Sequence, residues 1–269
     1  MSALRDFDAV SLDELVAGAS LLARVDRKYV VPRARIDELL AVLDPRTRVL
    51  EIDGDRDFRY ESVYFDTPEL LSFHLAARPR RRRFKLRTRT YVDTDAAYLE
   101  LKTRGARGKT IKERDPYAVA ERALLTPRAR EEVDAALESV GIGAGHADRL
   151  DATLTTRYRR ATLLAPNGAA RATIDTHLTW LGADGVGFTL PNVAIIETKS
   201  PSTASDIDRL LWRSGHRPTA VSKYATGLAA LYPRLPRNRW ARLLRGPFSP
   251  THAVPATAGL EEAPCSAAA

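Results

Sequence analysis

Apolar and polar residues follow two periods along this chain, one of two residues and one near 3.6, with Pro, Gly and Asn marking most changes. Residues 11–22 (SLDELVAGASLL) predict a short amphipathic helix, with Ser11 and Glu14 spaced as a capping box. RVDRKYVVP (24–32) predicts a strand ended by Pro32, and Ile36, Leu39, Leu40 and Leu43 put a helix over 33–43. RYESVYFDT (59–67) predicts a strand, after which Pro68 sits at the first position of a helix, PELLSFHLAA. Three strands follow at 82–92, 97–104 and 109–117. Thr126-Pro127 opens a helix, PRAREEVDAALESV, that stops at Gly141. Residues 154–165 and 171–181 predict a hairpin around Pro-Asn-Gly, and 193–200 (VAIIETKS) a further strand. Helices are expected near 204–214 and 221–231. From 236 onward the Pro, Ala and Arg content and weak periodicity predict a flexible tail, giving a folded domain over 1–235 and a tail over 236–269. The order is that of an α+β protein and is too irregular for a doubly wound sheet.

Parity along the strands separates charge from apolar side chains. In 81–91 one face carries Arg81, Arg83, Lys85, Arg87, Arg89 and Tyr91, and the other Phe84 and Leu86. In 98–104, Tyr98, Glu100, Lys102 and Arg104 lie opposite Leu99 and Leu101. Arg24, Asp26 and Lys28 align opposite Val25, Glu197 and Lys199 align opposite Ile196, and Arg171 and Asp175 align opposite Ala172 and Ile174. A half-exposed antiparallel sheet with its charged side in water accounts for such alternation. The recurrence of cations with one or two carboxylates on strand after strand favours a different arrangement. Like charges facing each other destabilise a sheet.

Composition sharpens this. The 269-residue chain has a net charge of +8, which calls for an anionic partner. Arginine outnumbers lysine heavily, yet Lys28, Lys85, Lys102, Lys109, Lys112, Lys199 and Lys223 all fall in or beside predicted strands or at one helix. Lysine is a compact point charge and arginine a planar fork, so their separate use suggests site-specific roles. Cys265 is the only cysteine, which excludes an intrachain disulfide framework. No apolar run is long enough to span a bilayer, and the N-terminus lacks an apolar signal region, so a soluble cytoplasmic protein is expected. His74, His146, His177, His216 and His252 are scattered, with no HExxH, P-loop or GxGxxG motif. The basic run at 78–83 (RPRRRR) fits a nucleic-acid patch or the mouth of a basic strand face, and its continuation into the alternating strand favours the mouth.

If the sheet closed with its charged face inward, two unit charges about 4 Å apart would interact by about 4 kcal/mol at an effective dielectric near 20. Several such repulsions demand a compensating polyanion. A basic tunnel with an anionic ligand follows, conditional on closure.

The segments RVDRKYVVP, YESVYFDTPEL, RFKLRTRTY, YLELKTR, KTIKER, RYRRA, RATID, IIETKS and VSKYATGL resemble, in order and spacing, the VTC domain. This polyphosphate polymerase domain belongs to the triphosphate tunnel metalloenzyme (CYTH-like) group, and the resemblance covers about residues 20–232. It implies a closed antiparallel barrel of about eight strands, a basic tunnel, helices packed outside and one closing helix. It also implies transfer of the ATP γ-phosphate to inorganic polyphosphate, assisted by Mn²⁺ or Mg²⁺.

Carried to this sequence, the resemblance assigns phosphate clamping to Lys28, Arg87, Arg89, Lys102, Lys112, Arg160, Arg171, Lys199 and Lys223, with Lys28, Arg87, Arg89 and Lys223 on the nucleotide triphosphate. Glu197 matches the metal-binding glutamate, with Glu100, Asp26 and Asp175 as further carboxylates for the metal. Asp175 paired only with Arg171, and Glu100 paired only with Lys102, are the structural alternatives. Arg24-x-Asp26-x-Lys28 resembles the ExExK signature of the wider group, but Asp26 shortens the reach by one methylene. ATP and polyphosphate are the expected partners, with no specific nucleic acid and no transmembrane segment. A triphosphate or nucleoside triphosphate hydrolase of the same fold, and a non-catalytic polyphosphate- or nucleic-acid-binding module, are the competing functions. Glu197 speaks against the binding module, which needs no metal ligand.

Overall fold

The computed structural model describes residues 1–17, 25–105 and 110–257. Arg24 and Lys109 lie outside them, as does the end of the first predicted helix. In chain order the elements are β1 (Asp8–Val10), α1 (Leu12–Ala17), β2 (Val25–Pro32), α2 (Ile36–Ala41), β3 (Arg48–Leu50), β4 (Phe58–Asp66) and α3 (Leu71–Ala77). They continue with β5 (Arg83–Tyr91), β6 (Ala96–Arg104), β7 (Thr110–Tyr117), α4 (Pro127–Ser139), β8 (Asp151–Leu164) and β9 (Arg171–Gly182). The last are β10 (Val186–Leu190), β11 (Val193–Ser200), α5 (Asp206–Arg213), α6 (Lys223–Leu231), α7 (Ala241–Arg245) and β12 (Val254–Thr257).

Local signals explain most boundaries. Ser11 and Glu14 form the capping box, with the Glu14 N–H donating to Ser11 Oγ at 3.2 Å and the Ser11 N–H to Glu14 Oε2 at 3.1 Å. Thr126 caps α4 ahead of Pro127, and Gly141 (φ 72°) follows the helix in the left-handed region. Pro68 does not begin a helix. It lies in a turn closed by Leu70 N–H to Thr67 O at 2.8 Å, and α3 starts three residues later. The reason is Asp66, whose carboxylate accepts the N–H groups of Thr67, Ser72 and Phe73 and so anchors the helix start from the preceding strand.

Eight strands form one antiparallel path, β7-β6-β5-β4-β8-β9-β11-β2. β9 divides near His177 (φ 50°): its first half pairs with β11 and its second with β10. The expected closed barrel is corrected here, because among the described residues β2 and β7 end the path without a ladder between them. Closure would require hydrogen bonds between strands far apart in sequence, which parity along each strand does not specify.

The apolar strand faces point outward, under helices. Leu86, Leu99, Leu101 and Phe84 pack beneath α4 through Val133 and Leu137. Tyr29, Val31, Ile174 and Ile196 pack beneath α2 and α5. A third core fills one end of the inner face, where Tyr224, Leu228, Trp180, Leu178 and Leu154 meet Trp240, Leu243, Leu244 and Phe248. Residues 236–257 therefore do not form a flexible tail: Trp240 is 2% exposed, and β12 pairs with β10. Their apolar side chains plug the sheet instead of lining one helix face, so they show little period.

Candidate functional site

The inward faces of all eight strands meet in one chamber of about 240 Å³. Nine basic side chains line it against three carboxylates: Lys28, Lys85, Arg87, Arg89, Lys102, Lys112, Arg160, Lys199 and Lys223 against Asp26, Glu100 and Glu197. Eight of the nine cations assigned from the sequence to phosphate clamping are thus brought together. Arg171 is not among the lining residues; it stands on β9 opposite Lys199 in register. Asp175 lies behind the lining, 1% exposed.

Glu100, Asp175 and Glu197 each serve a separate group of cations. Glu100, 3% exposed, accepts from Arg87 Nε and Lys112 Nζ at 2.8 Å each, with Arg89 at 3.8 Å and Arg114 at 4.0 Å. Burial pushes the Glu100 carboxyl up, but Arg87, Arg89 and Lys112 overturn that and hold it well below the usual carboxylate range. Asp175 takes both arms of Arg160, at 2.6 and 2.8 Å, and also accepts from Lys223. Burial again raises, Arg160 and Lys223 lower, and the carboxyl settles at about 2. Glu197 pairs with Lys199 and lies 3.7 Å from Lys28, while Lys199 is also 3.6 Å from Asp26.

Lys85 on β5 and Lys102 on β6 form no such ion pair among the described residues. Lys85 faces Lys102 in register, and Lys102 faces Lys112. Burial, then Lys28, Arg87 and Lys102, push the Lys85 ammonium well below its ordinary value. Lys102 is lowered by burial within the walls and by Lys28, although its side chain stays open to the cavity solvent.

A floor of tyrosines supports the cations. Tyr60 and Tyr158 stack with centroids 5.3 Å apart, and the Arg160 guanidinium lies 5.2 Å from each ring. Lys223 Nζ is 4.3 Å from the Tyr158 centroid, and Arg87 donates to Tyr64 Oη at 3.1 Å. Lys223 is set by its helix: Trp180 Nε1 donates to the Lys223 carbonyl at 2.7 Å, and Gly227 lets α6 approach the indole. Lys85 Nζ donates to Ser222 Oγ, the α6 cap, at 3.0 Å.

Parity in the sequence places Lys85 on the charged face but gives it no role, and it does not single out Tyr60, Tyr64, Tyr158 or Ser222. The tyrosines share the parity of Arg87, Arg89 and Arg160 across the paired strands, a signal visible only once register is known.

Among the described residues, no three His, Cys, Asp or Glu side chains form a group able to hold a metal ion by themselves. Mg²⁺ usually needs only one or two carboxylates when substrate phosphates supply the remaining oxygens. Asp26 and Glu197, on adjacent strands and joined through Lys199, fit that requirement. Glu100 and Asp175 accept through both oxygens from guanidinium or ammonium groups, whereas Glu197 accepts through Oε1 from Lys199 and has Lys28 3.7 Å from Oε2.

A sheet curled around inward cations, with its apolar face under helices, defines a triphosphate tunnel (CYTH-like) fold. The chain belongs to the VTC domain family, whose model matches residues 23–232. Among solved structures it is similar to a Hippeastrum protein designated an adenylyl cyclase, with a dominant triphosphatase activity, at TM-score 0.50 and 16% identity, covering 80% of this chain and 99% of that one. It is also similar to a Bacillus halodurans protein designated an adenylate cyclase, at TM-score 0.43 and 17% identity, covering 71% and 87% of the two chains. No curated protein matches it. No helix among the described residues is long and apolar enough to cross a membrane.

Proposed function

We propose that the protein is a metal-dependent phosphotransferase that moves the ATP γ-phosphate onto an inorganic polyphosphate chain inside the basic chamber. The observation that carries this reading is the excess of nine cations over three carboxylates in a single cavity. Phosphoryl transfer asks the protein mainly to position the reactants and neutralise charge. Arg87 and Arg160, each fixed by a buried carboxylate, are presented as rigid forks for phosphate oxygens. Lys28, Lys85, Lys102, Lys112, Lys199 and Lys223 add point charges, and Arg89 adds a third guanidinium, 3.8 Å from Glu100. The acceptor is an anionic terminal phosphate oxygen, so no strong general base is needed.

Asp26 and Glu197 would hold the divalent cation, Mn²⁺ or Mg²⁺. A metal held there would supply positive charge to offset that building up on phosphate oxygens during transfer. Glu100 and Asp175 are assigned to holding arginines and lysines in place.

The test is incubation of the purified protein with ATP and Mn²⁺, with the product resolved on a stained gel. Long-chain polymer from wild type, lost in Glu197→Ala, is the expected result. Absence of polymer rejects the polymerase reading, and equal polymer from both proteins rejects the metal role of Glu197. Orthophosphate released without polymer identifies water as the acceptor and makes the protein a hydrolase of the same fold.

A further inference from the structure

The chamber opens into a second cavity, of about 400 Å³, and the two share Asp26, Lys28, Lys85 and Lys102. The row of facing cations continues outward into it. One step beyond the Lys85/Lys102 pair along β5 and β6, Arg83 faces Arg104 in register. Arg239, from the segment after α6, joins them on the same cavity wall. Burial and then the charges of Arg104 and Arg239 lower the Arg83 guanidinium, so the three groups interact electrostatically. Asp26 is the only carboxylate among the described residues lining this outer cavity. Facing like charges on adjacent strands destabilise a sheet, so an anion is the natural complement of this wall.

The placement of Arg239 is built. Its Nη1 donates to the Ala76 carbonyl at 2.9 Å, and the next residue, Trp240, is buried with its Nε1 donating to Ala220 O at 2.9 Å. Both residues follow position 232, where the match to the VTC domain ends. Strands rise about 3.3 Å per residue, so Arg83 stands roughly 13 Å from Arg87 along β5, with Lys85 between them. A triphosphate seated on Arg87 and Arg89 does not reach that far.

The geometry points to an outer anion subsite, made by Arg83, Arg104 and Arg239, that holds phosphates of a long polyphosphate chain beyond its reacting end. The segment after position 232 thereby takes part in selecting long chains over short ones. This inference rests on the proposed polyphosphate chemistry of the chamber.

The experiment compares binding of long-chain polyphosphate and of tripolyphosphate to the full chain at several salt concentrations. Arg239→Ala is expected to weaken long-chain binding by about three- to fivefold, as for loss of one exposed charge pair, and tripolyphosphate binding by less. Its slope of log affinity against log salt should flatten by about 0.7 for each phosphate no longer neutralised, taking single-stranded polyanions as the guide. Arg239→Lys should recover most of the affinity, and Arg104→Gln should weaken binding in the same way as Arg239→Ala, which separates a direct charge effect from misfolding. Arg87→Ala, in the chamber, should weaken both ligands together. If Arg239→Ala changes neither ligand, or both equally, the outer subsite is overturned while the chamber reading stands. If wild type binds neither anion, the chamber reading itself fails. If single-stranded RNA shows the same affinity and the same weakening in Arg239→Ala as long-chain polyphosphate, selection of polyphosphate is overturned.

Discussion

Lys85 and Lys102 stand directly opposite each other on β5 and β6, both facing the chamber, with Lys112 next in the same row. A facing pair of opposite charges stabilises antiparallel strands, whereas this pair works against the sheet. The arrangement trades stability of the empty protein for attraction to a polyanion, as functional sites often do.

Lys102→Met should therefore stabilise the ligand-free protein and weaken its ligand binding. Relief of the facing repulsion is worth about 0.2–1 kcal/mol, which thermal denaturation detects as a small rise in Tm. Tripolyphosphate affinity should fall by about tenfold, as for a charge-assisted hydrogen bond of about 1.5 kcal/mol or more. A variant that is less stable and binds as well as wild type contradicts this account of the lysine row.

The same lysines predict proton uptake on binding. Lys85 and Lys102 are both held below the ordinary lysine value in the free protein. In the window between their folded and ordinary values, the folded state binds fewer protons than the unfolded one, so their contribution makes stability rise with pH. A bound phosphate chain favours the charged ammonium and raises both values. Calorimetric titration of tripolyphosphate at pH 9, in two buffers of different ionisation enthalpy, should show protons taken up from the buffer. Tripolyphosphate is itself still partly protonated at that pH and gives up protons to cations, so the uptake is read as wild type minus Lys102→Met, which lacks one of the two ammonium groups. Equal or smaller proton uptake by wild type contradicts it.

Parity makes the charged face legible in the sequence because it needs only the period of a strand. It cannot show what each charge faces. The resemblance to the VTC domain groups Glu100, Asp26 and Asp175 with Glu197 as carboxylates for the metal, all four being acids on basic strands. Register separates them, setting Glu100 among Arg87, Arg89 and Lys112, and Asp175 between Arg160 and Lys223. The lack of a ladder between β2 and β7 among the described residues, and the C-terminal plug, depend on the placement of distant segments, so neither leaves a local period to read. Trp240 and Phe248 look like isolated apolar residues in a tail because their partners, Phe73 and Trp180, lie in other elements.

Removing Glu100 should be far more damaging than removing a metal ligand. Its loss leaves Arg87, Arg89 and Lys112 together without their shared counter-charge. Glu100→Gln should cost about 3–5 kcal/mol, as for other buried pairs broken on one side. Added polyphosphate supplies negative charge to the same cations, so it should raise the Tm of Glu100→Gln more than that of wild type. Acid should act in the same direction. Glu100, Asp175 and Glu197 have folded values below their ordinary ones, so their contribution is present above about pH 4.5 and is lost as pH falls through the folded values. Denaturant midpoints measured from pH 6 down to pH 2 should fall for wild type and fall less steeply for Glu100→Gln. Parallel curves would show that Glu100 does not carry the acid dependence.

Gly227 tests whether helix placement, separate from charge, sets the position of Lys223. A β-carbon at Gly227 would come within 2.3 Å of Trp180 Cδ1, and the indole is fully buried between Phe188 and Phe248. The ring has no free space to enter, so α6 must shift away from β9. Trp180 Nε1 also holds the Lys223 carbonyl, and the shift therefore moves the first residue of the helix away from Asp175 and the chamber. Gly227→Ala should cost about 1–3 kcal/mol, the usual range for overpacking a core. It should also weaken tripolyphosphate binding, although no charge has been removed. Trp180→Phe in the same background makes room beside the new methyl group and should recover stability. It cannot restore the hydrogen bond to Lys223, so binding should recover only in part. Full recovery of both would mean that the indole hydrogen bond does not position Lys223, and recovery of neither would place the strain elsewhere in α6.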